Sequence, residues 1–172
     1  KIETKVGGEI AIDAKGLFRD ASSGILNKGP WPMKVGQKTQ FTIHWVITNY
    51  ATDVSGVSVR TFLGGNVEMI GQPKSSIASL PLYNKNTQEL IWEIPDIAAT
   101  KGIVGAPLEA IFQVEATPSL TNAGHEMILI KGTEIRATDA FTGEILTATD
   151  DSVSTNDLDD PTVKSSEGIV KQ

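Results

Sequence analysis

Two histidines, at positions 44 and 125, are the residues of this chain best suited to exchange protons near neutral pH. His44 lies in the stretch KTQFTIHWVITNY, on the face that also carries Thr42 and Val46. A nucleophilic triad would need a serine on a Gly-x-Ser-x-Gly elbow, and a zinc site would need closely spaced histidine ligands; neither pattern occurs. We therefore expect His44 to be a partly exposed sheet residue, and its replacement by alanine to cost under ~1 kcal/mol, as surface changes do.

Paired carboxylates are the next candidates for chemistry. Glu109 and Glu115 share one face of a predicted strand, but six residues of strand separate them by about 20 Å. Glycoside hydrolysis needs two carboxyl groups about 5–10 Å apart. Glu89 and Glu93 are closer together and are expected to face solvent. We interpret these charges as residues that keep strand faces wet and discourage edge pairing.

The acidic stretch TATDDSVSTNDLDDP could supply a cation with oxygen ligands. Its carboxylates are Asp150, Asp151, Asp157, Asp159 and Asp160. Calcium takes six to eight oxygen ligands, so the composition is compatible with a calcium site. The alternative is a solvated, self-repelling linker, which we expect, because the stretch lacks the glycine turn and ligand order of a compact calcium loop.

Two loop-borne aromatic residues are candidate ligand-binding positions. Trp31 stands between prolines in GPWP, and Tyr83 precedes the turn sequence NKNTQ. Rigid aromatic platforms of this kind bind sugars in carbohydrate-binding modules. The alternative, which we favour for Trp31, is that its ring covers the open end of the core.

Composition excludes several functions. The chain has 172 residues and no cysteine, so thiolate metal sites, thiol catalysis and disulfides are ruled out. A net charge of −6 without a basic cluster argues against nucleic-acid binding. No apolar run approaches the ~18 residues that span a bilayer, so the chain is not expected to be membrane-embedded. An isopeptide crosslink would have to use Lys38 or Lys131, both at strand ends, and we do not expect one.

Short alternating segments separated by turn signals predict an all-β protein. After a glycine- and proline-rich loop, the predicted strands are Thr39–Asn49, Gly56–Leu63, Val67–Ile70, Glu89–Ile94, Leu108–Thr117, Met127–Ile130, Thr133–Thr138 and Glu144–Thr149. Two shorter pieces, Ile2–Val6 and Glu9–Ala14, precede them, and one helical turn is expected near Ile97–Lys101. This spacing is typical of an antiparallel sandwich or barrel.

One face of each long strand is apolar. The rows are Phe41, Ile43, Trp45 and Ile47; Leu90, Trp92 and Ile94; and Leu108, Ala110, Phe112 and Val114. Because antiparallel sandwiches keep one sheet face dry and the other wet, these rows predict the core, with Trp45 and Trp92 inside it.

The stretch GPWPMKVGQKTQFTIHWVITNYATDVSGVSVRTFL resembles the opening of conserved-repeat and related immunoglobulin-like modules of bacterial surface proteins. The matching residues are Val35, Gly36, Thr39, Phe41, Ile43, Asn49, Val54, Val57, Val59 and Leu63. LIWEIPDI and APLEAIFQVEATPS resemble the next two elements, so the resemblance runs from about Val35 to Thr149. The chain departs from the pattern at Pro95, where glycine is common, and in the segment before Val35.

The resemblance implies an immunoglobulin-like antiparallel β-sandwich with extra N-terminal strands and no catalytic residue. We expect three segments: 1–34, strands and loop packed on the sandwich; 35–149, the sandwich; and 150–172, an acidic strand or linker. The implied function is a non-enzymatic structural or adhesive module of a secreted or cell-surface bacterial protein. Because the sequence begins at Lys1 without Met and ends in a linker-like tail, we expect it to be a segment of a longer chain. Its partners would be neighbouring modules or surface proteins. The alternative is a carbohydrate-binding module with glycan ligands.

Overall fold

In the computed structural model the described residues, 7–172, form eleven β-strands and two short 3-10 helices. The strands are β1 (Ile10–Leu17), β2 (Thr39–Asn49), β3 (Val54–Phe62), β4 (Val67–Ser75), β5 (Leu82–Asn84), β6 (Glu89–Ile97), β7 (Leu108–Ala116), β8 (Ile128–Ile130), β9 (Thr133–Asp139), β10 (Ile145–Asp150) and β11 (Val153–Ser154). The 3-10 helices are Leu120–Asn122 and Ser165–Gly168. No helix within residues 7–172 combines the length and the apolar character needed to cross a membrane.

The strands form two main antiparallel sheets. One has the order β1–β2–β7–β4 and the other the order β10–β9–β3–β6–β5, while β11 and β8 form a separate short pair. Their apolar faces share one core. The predicted immunoglobulin-like antiparallel sandwich is therefore confirmed.

The core is built from the predicted apolar rows. Trp45 and Trp92 are both fully buried. Trp45 meets Phe112 edge-on, with ring centroids 5.1 Å apart, as aromatic quadrupoles prefer. The indole nitrogen of Trp92 donates hydrogen bonds to the carbonyl and hydroxyl oxygens of Ser79, at 3.1 and 3.0 Å.

The predicted helical turn near Ile97–Lys101 is wrong. Strand β6 continues to Ile97, and a hydrogen-bonded turn follows, with Lys101 N–H donating to the Ala98 carbonyl at 3.3 Å. Thr100 has a φ of 60°, and this left-handed conformation cannot continue a right-handed helix.

An extra N-terminal strand is present. Strand β1 pairs along β2 from Ile10 opposite Asn49 to Leu17 opposite Thr42. The predicted piece Ile2–Val6 lies outside the described residues. Residues 18–38 then form an irregular loop, part of which covers the outer face of the four-stranded sheet.

The sandwich has two distinct ends. The amino-terminal pole comprises the start of β1 and the loops 50–53, 98–107 and 140–144. There the Asn49 side chain donates hydrogen bonds to the carbonyls of Thr52, Ile97 and Ala98, joining the two sheets. The carboxyl-terminal pole comprises the loops 63–66, 117–127 and 131–132 with residues 34–38 and 169–172.

The acidic tail, residues 150–172, begins at the last residue of β10 and packs along the sandwich. Thr155 N–H donates to the Met127 carbonyl at 2.9 Å, and Lys171 N–H donates to the Met33 carbonyl at 2.7 Å. Val170 is buried. The tail is thus part of the folded unit, with β11 as its strand.

Candidate functional site

The environment of His44 differs from the expectation of a partly exposed residue. His44 is only 5% exposed, because loop 18–27 folds over the outer face of β2. Its Nε2 lies 2.7 Å from Asp20 Oδ2, and its Nδ1 lies 2.7 Å from Glu109 Oε1. The imidazole therefore joins the covering loop to strand β7.

The Asp20 carboxylate is held in its ionised form. Its side chain is 1% exposed, and Oδ1 accepts hydrogen bonds from the Ser22 hydroxyl at 2.7 Å and the Ser23 amide at 3.2 Å. Burial raises the pKa of Asp20, but hydrogen bonds from Ser23, Ser22 and His44 outweigh it and hold the pKa well below its usual range.

The geometry assigns one proton of the triad formed by Asp20, His44 and Glu109. A nitrogen–oxygen distance of 2.7 Å indicates a hydrogen bond, which needs one hydrogen between the two atoms. Because an ionised Asp20 has no hydrogen to donate, Nε2 of His44 is the protonated donor. Both ring nitrogens face carboxylates rather than a hydroxyl nucleophile. The arrangement suits a buried, charge-assisted hydrogen bond that fixes the loop on the sheet.

A second contact beside this triad fixes the same loop. The Asn27 amide donates to Thr42 Oγ1 at 2.8 Å and to the Phe18 carbonyl at 3.0 Å, and its own oxygen accepts from Gln113 at 2.8 Å. Sequence reasoning missed Asp20 and Asn27 as partners. Their only local signal is the turn-forming composition of DASSGILN.

The acidic tail places carboxylates along the open edge of β1. The amide of Ala14 donates to Asp150 Oδ2 at 2.7 Å, and the amide of Gly16 donates to Asp159 Oδ2 at 3.0 Å. Just beyond the strand, the Arg19 amide donates to Asp160 Oδ2 at 2.6 Å. These aspartates thus occupy edge amides that would otherwise be open to another strand.

The five predicted calcium ligands do not all converge. Asp150, Asp151, Asp157 and Asp159 line one polar pocket together with Asp13, whereas the buried carboxylate of Asp160 binds Arg19 and Thr162. Among residues 7–172, no three acidic, histidine or cysteine side chains are arranged to hold a metal ion.

Charge crowding in this pocket acts on Asp159. Its pKa is raised, first by burial and then by the neighbouring charges of Asp13 and Asp157, although the hydrogen bond from Gly16 opposes the shift. Asp160 shows the reverse. Burial opposes its ionisation, but hydrogen bonds from Thr162 and Arg19 lower its pKa.

Trp31 lies in an aromatic cluster near the start of β2. Its ring stacks on Phe18 with centroids 5.1 Å apart and meets Phe41 edge-on at 5.9 Å. Its indole nitrogen donates to Glu167 Oε2 at 3.2 Å. One face of the ring is therefore covered by Phe18, as expected for a residue closing the core.

Tyr83 lies on β5, in the other sheet. Its hydroxyl donates to Gln88 Oε1 at 3.0 Å, and its ring is partly buried against the core. Burial, the leading cause, raises its pKa. The structure thus places the two candidate aromatic residues apart, Trp31 in the loop before β2 and Tyr83 on β5 of the other sheet.

The remaining charged candidates have local partners. Lys38 Nζ lies 2.6 Å from Glu115 Oε1, and this hydrogen bond lowers the pKa of Glu115. The Lys38 side chain is 69% exposed, and Lys131 is also exposed. Glu109, the other strand carboxylate, binds His44.

No protein-family model matches the chain, and no curated protein matches it significantly. The fold is similar to that of the major pilin subunit BcpA of Bacillus cereus, in the D312A form, with 15% identity and a TM-score of 0.52. The full-length major pilin SpaD of Corynebacterium diphtheriae gives 10% identity and a TM-score of 0.53. Each similarity covers 85% of this chain, which spans only 40% of the first pilin chain and 34% of the second.

These similarities establish the sandwich fold. A weaker likeness, with a TM-score of 0.46 and 12% identity, joins 84% of this chain to 49% of the C-terminal domain of the Streptococcus agalactiae antigen I/II polypeptide BspA. The conserved-repeat resemblance has no support from a family model.

Proposed function

We propose that this chain is a non-enzymatic, load-bearing immunoglobulin-like module of a secreted or cell-surface bacterial protein. Its role would be to space or assemble other modules, as expected from a fold shared with two major pilin subunits. The proposal concerns a structural or adhesive role and assigns no catalytic residue.

The observation that carries the proposal is the path of the chain between the poles. Strand β1 starts at the amino-terminal pole, where the Gly8 amide donates to Asp139 Oδ2 at 2.7 Å. Lys171 lies at the carboxyl-terminal pole, where its main chain forms a parallel β-bridge with that of Lys34. A pull between the poles is therefore directed along the strands, so that hydrogen bonds must shear together instead of opening one at a time.

The two elements nearest these ends are also bonded to each other. Asp159 N–H donates to the Gly16 carbonyl at 2.9 Å, and the Gly16 amide donates to the Asp159 carboxylate. Tension between the poles thus loads the contact between β1 and the tail directly. Such a contact suits a module that transmits force.

The cellular part of the proposal is tested on intact cells of the source organism. An antibody raised against the folded chain should label unbroken cells or the culture medium, and external protease should remove the cell-bound signal. Labelling only after cell rupture would contradict a surface location. A cytoplasmic protein serves as the control for cell integrity.

A further inference from the structure

Several large apolar side chains are exposed at the amino-terminal pole. Its loops and adjoining strand ends present Tyr50 (44% exposed), Ile103 (54%), Val104 (75%), Phe141 (59%) and Ile145 (55%). Exposed apolar side chains at one end of a molecule are a common feature of interaction surfaces.

This pole also contains a cleft with an acidic rim. The cleft, of about 360 Å³, is lined by Asp53, Val54, Asp96, Ile97, Ala98 and Ala140. Val54 and Ile97 are buried and form an apolar floor, while Asp53 and Asp96 are exposed. Such a cleft fits an apolar side chain that has cations beside it.

The carboxyl-terminal pole presents a side chain of that kind. Leu120 is 76% exposed and lies in the 3-10 helix Leu120–Asn122. The turn is fixed because Asn122 Oδ1 accepts hydrogen bonds from the amide and the hydroxyl of Ser119, both at 2.8 Å. Leu120 is thus a rigid apolar projection.

Two lysines belong to segments that adjoin the loop carrying this projection. Main-chain hydrogen bonds join Gly36 to Pro118 and Gly124 to Val170, so residues 34–36 and 170–171 adjoin the loop that carries Leu120. Lys34 and Lys171 are exposed, and neither forms an ion pair with any residue in the described part of the chain.

We propose that copies of this chain associate head to tail, with Leu120 of one copy seated in the cleft of the next. Lys34 and Lys171 of the first copy then face Asp53 and Asp96 of the second. The contact is heterologous, because different surfaces meet, so it builds chains or rings of copies rather than a two-fold symmetric dimer. This inference rests on the proposed function, and it identifies the neighbouring module as a second copy of the same chain.

Sedimentation velocity of the 172-residue chain over a concentration series tests the inference. The weight-average sedimentation coefficient should rise with concentration at low ionic strength, and salt should reduce the rise because it screens the lysine–aspartate pairs. Leu120→Asp should abolish the rise. Leu26→Asp is the matched control, since Leu26 is also 76% exposed but lies in loop 18–27, and it should leave association unchanged.

A charge exchange makes the test specific to the two poles. The double variants D53K/D96K and K34E/K171E should each stay monomeric alone, and mixing them should restore association. Circular dichroism confirms that each variant folds. Monomers at every concentration, or equal effects of Leu120→Asp and Leu26→Asp, would overturn the inference.

Vesicle flotation tests the alternative of a lipid partner. If the chain stays monomeric but floats with phosphatidylcholine vesicles, and V104D abolishes flotation, the apolar pole binds lipid and the inference is wrong. Failure of self-association leaves the intact-cell labelling and the mechanical behaviour untouched, so the two proposals fail separately.

Discussion

His44 shows how a polar residue on the outer face of a sheet becomes buried. The alternation of its strand correctly puts it opposite the core side chains, but the loop carrying Asp20 then covers that face. Long-range packing of an irregular loop leaves no periodic pattern in the sequence. The strand position of His44 was therefore predictable, whereas its burial and its two carboxylate partners were not.

Replacing His44 by alanine should destabilise the fold by about 3 kcal/mol, because it leaves the buried Asp20 carboxylate without the hydrogen bond from Nε2. This corrects the surface expectation of under ~1 kcal/mol. The measurement is urea unfolding at neutral pH. His125→Ala is the control, since His125 is exposed, and equal losses for the two histidines would contradict the pinned geometry.

Asp139 should make stability depend on acid pH. The hydrogen bond from the Gly8 amide is the main cause that lowers the pKa of Asp139 to about 2. Burial opposes this shift, and hydrogen bonds from Thr142, Thr52 and Phe141 add to it. An unfolded aspartate titrates near ~3.9. The stabilisation is therefore complete above that value and is lost as pH falls through the folded pKa.

Asp139→Asn should lower the melting temperature at neutral pH, and the difference from the wild type should shrink as pH falls from about 4 to about 2. Asp159→Asn is the contrasting variant. The pKa of Asp159 is raised, so neutralising it should not destabilise the fold at neutral pH. A pH-independent deficit for Asp139→Asn would show that its ionised form is not what stabilises the fold.

At the scale of elements, alternation predicted most of the sheet. Strand β2 has the predicted bounds, and β7 differs by one residue, because their apolar rows are long and uninterrupted. Strand β5 was missed because its three residues merge with the turn sequence NKNTQ. The role of the tail aspartates as acceptors for the amides of β1 was also missed, since composition alone does not reveal which amides a carboxylate meets.

Trp45→Ala should cost about 3–5 kcal/mol, because a fully buried aromatic side chain leaves a cavity against Phe112. Chemical denaturation of the purified variant measures the loss. Trp92→Ala should behave alike and also removes the hydrogen bonds to Ser79. Trp31→Ala offers a comparison at a partly buried site. A loss below about 1 kcal/mol for Trp45→Ala would contradict the assignment of Trp45 to the core face of β2.

For the whole molecule, we expect the acidic tail to hold the edge of β1 and not to bind calcium. Millimolar calcium should leave the melting temperature no higher than millimolar magnesium does, because Asp150, Asp159 and Asp160 already accept main-chain hydrogen bonds. A bound calcium at a hundredfold excess over its Kd would add ~2.7 kcal/mol, or several degrees at ~2–4 °C per kcal/mol. A rise in melting temperature of that size with calcium but not magnesium, reversed by chelator, would show that the tail binds calcium.

Single-molecule force spectroscopy tests the load-bearing claim most directly. Cysteines introduced at residues 7 and 172 of this cysteine-free chain would attach handles for a pull along the strands, from pole to pole. Cysteines at residues 7 and 51 would place both handles at the amino-terminal pole, for a pull that peels β1 from β2. We predict a clearly higher rupture force for the pole-to-pole pull, reduced by Asp159→Ala. Equal, low forces in the two geometries would contradict the proposal that this module carries tension.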